Sequence, residues 1–83
     1  MSVTGKRIIG MPTLLLYEAE GCTILAQTRD GTLYRGMLGE VEDNWNLHMR
    51  KVLMRTKGSK KDVALEKLFI RGANVSFLVI PDQ

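Results

Sequence analysis

The segment Leu68-Phe69-Ile70-Arg71-Gly72, followed closely by the apolar run Val75–Ile80, indicates two extended strands joined by a tight turn. Glycine in that turn lets the backbone bend and lets a ligand approach closely. Arg71 adds a planar guanidinium with several hydrogen-bond donors. The segment therefore predicts β-structure in which the turn between the last two strands carries a recognition element.

A second polar turn, Glu42-Asp43-Asn44-Trp45-Asn46, ends an earlier strand-like segment. Its carboxylates and amides suit the donors and acceptors of a nucleic-acid base. Taken singly, Asn44 and Asn46 are also typical of ordinary turns, and Arg71 of a plain ion pair. Two such turns on a small β-rich domain favour a binding site over a catalytic one.

The apolar residues recur with a period of two over most of the chain, which indicates strands. Predicted strands cover residues 22–28, 32–41, 45–54, 62–70 and Val75–Ile80. Arg29-Asp30-Gly31 is a hairpin turn between the first two. Gly36 and Gly39 predict a bend in the second strand, and the parity of the apolar positions shifts between Met49 and Val52, which predicts a bulge in the third.

Residues 11–21 predict a short helix, since Pro12 lies near the start and Gly21 past the end. Residues 1–10 show no sustained period and are predicted to be a flexible N-terminal arm, with the domain covering residues 11–83. The predicted fold is all-β with a short N-terminal helix: a strongly bent five-stranded antiparallel open barrel of the small SH3-like or OB-like type. Open edges predict strand-to-strand oligomerisation.

Composition narrows the class of protein. The chain has 83 residues, enough for one domain, and a net charge of +3 that favours a polyanionic partner. A single cysteine excludes an intrachain disulfide and predicts a reducing compartment. The apolar runs are too short for a membrane span or a signal peptide, so we expect a soluble intracellular chain without membrane contact.

Catalytic and metal sites are not predicted. Cys22 and His48 are the only residues of their types, too few for a structural zinc site, and no base is placed beside a nucleophile. Adjacent strand residues such as Glu42 and Asp43 point to opposite faces and do not form an acid–base pair. Trp45 is interpreted as a core residue. We therefore expect no enzymatic activity, no cofactor and no metal.

Two motifs give the chain a family resemblance. Tyr34-Arg35-Gly36-Met37-Leu38, followed by the turn of residues 42–46, resembles the first motif of the Sm proteins. Ile70-Arg71-Gly72 with the following apolar strand resembles the second, and the spacing between them also fits. Trp45 departs from the pattern, since the family usually has methionine at this core-facing position.

The resemblance implies a core subunit of a heteroheptameric Sm ring. Such a ring binds the uridine-rich single-stranded site of spliceosomal small nuclear RNA, in small nuclear ribonucleoprotein assembly and pre-mRNA splicing. Asn46 would offer its amide to the uracil edge, and Arg71 and Asn44 would cover the faces of the base. Glu42 would brace the turn, and Gly72 would allow close approach. The alternative is an Sm-like ring protein in RNA processing or turnover.

Ring assembly would use the last strand. The implied interface residues are Val75, Phe77, Leu78, Val79 and Ile80. The implied neighbours are an Sm B-type and an Sm G-type subunit, and the implied location is the nucleus with a cytoplasmic assembly phase. The basic loop at residues 55–61 would add attraction to RNA phosphates or simply be solvated.

Overall fold

The computed structural model describes residues 6–8 and 12–81. The elements are β1 (Lys6–Ile8), α1 (Thr13–Glu18), β2 (Thr23–Thr28), β3 (Leu33–Val41), β4 (Leu47–Arg55), β5 (Val63–Ile70), a 3-10 turn (Gly72–Asn74) and β6 (Val75–Ile80). The strands form one antiparallel sheet in the order β1-β6-β2-β3-β4-β5. The predicted helix and the five predicted strands are confirmed, and β1 is additional.

Strand β1 departs from the predicted flexible arm. Its residues pair antiparallel with the end of β6, Lys6 opposite Ile80 and Ile8 opposite Leu78. Three residues are too short to show an alternating pattern, so β1 has no strand signal of its own and depends on the edge that it joins. The remainder of the predicted arm, residues 1–5 and 9–10, lies outside the described residues.

The sheet bends where β3 crosses β4. A Cβ atom at Gly36 would lie 2.9 Å from Val52 Cγ2 and 3.0 Å from the carbonyl oxygen of Arg50, so only glycine fits this crossing. The register between the strands shifts beside Gly36, where Lys51 adopts a φ of 51°, and shifts back beside Gly39. The predicted bend and bulge are confirmed, and together they curl the sheet around its apolar face.

One apolar core lies inside this curl. It combines residues of β2 to β6 with one face of α1, and its largest fully buried side chains are Leu16, Ile24, Leu38, Leu47, Met49, Val52 and Leu78. Leu16 comes from the helix, where Leu14 and Leu15 instead remain exposed. Leu16 therefore anchors the helix to the core, since six residues are too short to be stable without packing.

Leu38→Ala should lower the free energy of unfolding by about 2–5 kcal/mol, because it leaves a cavity at a fully buried position. Leu14→Ala is the matched control: the side chain is 67% exposed, and a loss below about 0.5 kcal/mol is expected. Urea titration measures both. Similar losses for the two variants would contradict this core.

Candidate nucleic-acid interface

The first candidate loop, residues 42–46, connects β3 to β4 and is closed by its own backbone. The Glu42 N–H donates to the Asn46 carbonyl at 2.9 Å, and the Trp45 N–H donates to the Glu42 carbonyl at 2.8 Å. Asn44 Oδ1 accepts from the Asn46 N–H at 3.3 Å, which is an Asx turn. Trp45 has a φ of 69°, in the left-handed region that this tight reversal requires. The loop leaves Asn44 exposed and Asn46 half-buried.

The second candidate loop connects β5 to β6 through the 3-10 turn. The Asn74 N–H donates to the Arg71 carbonyl at 2.9 Å. The neighbouring hairpin turn supports the loop, because Arg29 donates from its Nε to the Ala73 carbonyl at 2.7 Å and from its backbone to the Asn74 carbonyl at 2.9 Å. The conformation of Arg71 and Gly72 is therefore fixed from two sides.

The two loops meet, as the sequence predicts for a shared site. Leu47 at the start of β4 pairs with Ile70 at the end of β5, which brings the loops side by side. Asn46 Oδ1 then accepts the Gly72 N–H at 2.8 Å. A Cβ atom at Gly72 would lie 2.5 Å from the Asn44 carbonyl oxygen, so glycine is required by the close approach of the other loop.

Glu42 lies beside both Asn46 and His48. Glu42 Oε1 lies 3.5 Å from Asn46 Nδ2, and Glu42 Oε2 lies 2.7 Å from His48 Nε2. The His48 ring in turn lies 4.9 Å from the ring of Phe69, its cross-strand neighbour on β5. Sequence reasoning missed His48 and Phe69, because only the register of β4 against β5 places them together.

Arg71 is the exposed cation of this site. Within residues 6–8 and 12–81 its guanidinium makes no hydrogen bond or ion pair, so the structure does not support the plain ion-pair alternative. Arg71 lines an open groove with Phe69 and Asn74. Asn44 lines a second, shallower groove with Glu42. Arg71 and Asn44 thus line two separate grooves.

The basic loop lies elsewhere. Lys57, Lys60 and Lys61 are exposed beyond the Met54–Val63 pair, at the opposite end of the β4–β5 hairpin from Asn46 and Arg71. A nucleotide held between the two candidate loops is therefore remote from these lysines along the strands. The arrangement favours the solvated alternative for this loop.

Helix α1 anchors the first loop through contacts that sequence reasoning missed. The Tyr17 hydroxyl donates to Asp43 Oδ1, and Trp45 Nε1 donates to Thr13 Oγ1 at 3.1 Å. Glu20, just past the helix, accepts the Val41 N–H at 2.9 Å. The hydrogen bond to Asp43 is the main cause that raises the pKa of Tyr17. Trp45 also packs against the core, so the predicted core role is confirmed, with an added polar contact.

No group of His, Cys, Asp and Glu side chains that could hold a metal occurs among residues 6–8 and 12–81. No helix in the described part of the chain is long and apolar enough to cross a membrane.

The candidate site offers amides, a guanidinium and flat surfaces, which are groups suited to recognition of a single-stranded base.

Comparison with known proteins identifies the family. The LSM domain model matches residues 14–80, so the chain belongs to the LSM, or Sm, family. Within that family the chain is similar to Sm D3: it is 43% identical over 77 residues to small nuclear ribonucleoprotein SmD3b of Arabidopsis thaliana, covering 93% of this chain and 58% of that one. The chain thus spans little more than half the length of this relative.

Solved structures agree on the fold. A heptameric archaeal Sm protein superposes with a TM-score of 0.73 at 23% identity, covering 83% of this chain and 98% of that chain. A Pyrococcus abyssi Sm protein, solved in complex with a uridine heptamer, gives 0.74 at 21% identity, covering 84% and 97%. The predicted Sm-type barrel is confirmed.

Gly72→Ala should lower the free energy of unfolding by about 1–3 kcal/mol, because the new methyl group overlaps the Asn44 carbonyl and pushes the loops apart. Gly39→Ala is a milder counterpart, since its nearest neighbour would be the His48 carbonyl oxygen at 3.2 Å. Urea denaturation followed by Trp45 emission measures both. A larger loss at Gly39 than at Gly72 would contradict the contact between the loops.

Tyr17→Phe should reduce the loss of stability at alkaline pH. The pKa of Tyr17 in the folded state is raised above the ordinary tyrosine value of about 10. The bond to Asp43 therefore stabilises the folded state fully at pH values below about 10. That stabilisation is lost as the pH rises through the raised pKa. Urea titrations from neutral to alkaline pH give the slope. Equal slopes for wild type and Tyr17→Phe would refute the contribution.

Proposed function

We propose that this chain is a core subunit of a heteroheptameric Sm ring that binds the uridine-rich single-stranded site of spliceosomal small nuclear RNA. The observation that carries the proposal is the joined pair of loops, with Asn46 bonded to Gly72 and Arg71 exposed beside them. Sm D3 proteins of a plant, a nematode and two yeasts, at 35–43% identity, support it. Its role is then small nuclear ribonucleoprotein assembly and pre-mRNA splicing.

One nucleotide would occupy the site. The Gly72 N–H fills one of the two acceptor positions of Asn46 Oδ1, and Glu42 lies on one side of the Asn46 amide nitrogen. Asn46 Nδ2 has two N–H groups, of which Glu42 can accept one, so the other would donate to a uracil carbonyl oxygen. Arg71 stacks its planar guanidinium on one face of the base or meets a phosphate, and Asn44 covers the other face.

Each nucleotide-binding site would contribute only modestly to the free energy of RNA binding. Stacking of a base on an aromatic ring is worth about 1–3 kcal/mol, and the Asn44 amide offers a smaller flat surface. Neighbouring sites on a closed ring raise the effective concentration for each successive nucleotide, so modest sites add up to tight binding. The Pyrococcus abyssi Sm protein of the same fold, solved in complex with a uridine heptamer, supports this proposal.

The ring would be built by strand addition. The last strand, with Val75, Phe77, Leu78, Val79 and Ile80, pairs with the strand equivalent to β5 on an adjoining subunit. Backbone hydrogen bonds supply affinity and the flanking side chains select the partner, for which we propose Sm B-type and Sm G-type subunits. The subunit would act by binding, without catalysis or cofactor, in the nucleus after cytoplasmic assembly.

The alternative, an Sm-like ring protein in RNA processing or turnover, has weaker support. LSm4 proteins of three species are 27–30% identical to this chain, below the 35–43% of the Sm D3 proteins. The spliceosomal role is therefore preferred.

In an assembled ring, the double variant Asn46→Ala and Arg71→Ala should crosslink to uridine-rich RNA under ultraviolet light at least fivefold less than the wild-type subunit does. The affinity of the whole ring should fall less, because the other subunits keep their contacts. The matched control is Ser59→Ala with Lys61→Ala, which also removes one polar side chain and one cation, at the far end of the β4–β5 hairpin. Unchanged crosslinking in the Asn46 and Arg71 variant would overturn the assignment of the site.

A further inference from the structure

The outer edges of β5 and β6 differ, because only the edge of β6 is paired with a further strand. Within the described residues, β5 pairs only with β4, so its outer edge is open, and two of its side chains, Val63 and Phe69, are each 49% exposed. Strand β6 pairs with β2 on its inner side. Its outer side, at Leu78–Ile80, is occupied by β1.

Strand addition needs a free edge on both members of a pair, because backbone N–H and C=O groups bond to one neighbour on each side. Of the two edges that the proposed ring joins, the edge of β5 is free and the edge of β6 is covered at Leu78–Ile80. We propose that the outer edge of β6 is one binding surface with two alternative occupants: the chain's own Lys6–Ile8 and the edge strand of an adjoining Sm-family subunit. This inference rests on the proposed ring.

The tether makes β1 an effective competitor. Only residues 9–12 separate β1 from α1, so the local concentration of Lys6–Ile8 at the β6 edge is high. The pairing covers only three residues, however, whereas β5 presents eight. A long partner strand can therefore displace β1. If β1 covers the edge nine-tenths of the time, it lowers the apparent affinity of the partner strand for that edge about tenfold. In the free subunit β1 thus covers part of the β6 edge, and this edge becomes free when the subunit assembles.

A reversible lock tests this competition. Arg7 lies directly opposite Val79, and opposite residues of antiparallel strands have Cα atoms about 4.5–5.5 Å apart, within the range that a disulfide spans. Arg7→Cys and Val79→Cys are introduced together in a Cys22→Ser chain. Oxidation converts the two thiols to a disulfide with loss of two hydrogens, and dithiothreitol restores them while it forms its own cyclic disulfide. Arg7→Cys with Cys22→Ser is the control that cannot lock.

The readout is association with a purified Sm B-type subunit. The oxidised double-cysteine chain should associate at least tenfold more weakly than the same chain after reduction, and the control should not respond to oxidant. Equal association of the oxidised and reduced forms would overturn the inference, as would failure of the disulfide to form. Failure of the reduced form to associate, with wild type also failing, would instead count against the proposed ring.

A second variant opens the edge without a new bond. Arg7→Pro with Ile8→Pro prevents β1 from pairing, because proline removes backbone donors and restricts the strand. Arg7→Thr with Ile8→Val keeps a strand-compatible backbone and is the matched control. The proline variant should associate with the same partner at least threefold faster than the control. An equal or slower rate would show that β1 does not compete for the edge.

Discussion

The structure of the site depends on one close approach: the backbone of Gly72 lies against the loop of Asn44 and Trp45, and the Gly72 N–H donates to Asn46. That contact is possible only because β4 and β5 are in register at Leu47 and Ile70. It converts two separate turns into one surface. The same bond fills one of the two acceptor positions of Asn46 Oδ1 and so holds the amide in a fixed orientation toward a ligand.

The sequence predicted the features that local chemistry controls. The Arg29-Asp30-Gly31 turn, the bend at Gly36 and the parity shift after Met49 all carry their signal within a few residues. In contrast, β1 exists only where β6 offers an edge, and the contacts of Tyr17 with Asp43 and of Thr13 with Trp45 join residues far apart in the chain. Periodicity cannot reveal such contacts, since they depend on how the helix lies over the sheet.

The site divides its polar groups into two kinds. Most backbone groups of the two loops, and the side chains of Glu42 and His48, are satisfied by bonds within the protein. This bonding fixes the shape of the loops before any ligand arrives, which reduces the entropy lost on binding. Asn44 and Arg71 remain exposed. A rigid frame with few exposed polar groups suits the proposed ring subunit, which would make one small contribution to a repeated array.

Stability and assembly meet at the sheet edges. A domain of 83 residues buries a limited share of its surface, so an edge that gains a partner adds stability that the core cannot supply. An exposed edge also invites pairing with the wrong chain. Covering β6 with three residues of the same chain is a compromise between these demands: the cover satisfies backbone groups at Leu78–Ile80, yet it is short enough to be exchanged for a longer strand. The open edge of β5 needs no such exchange, so in the proposed ring the two edges would play different parts.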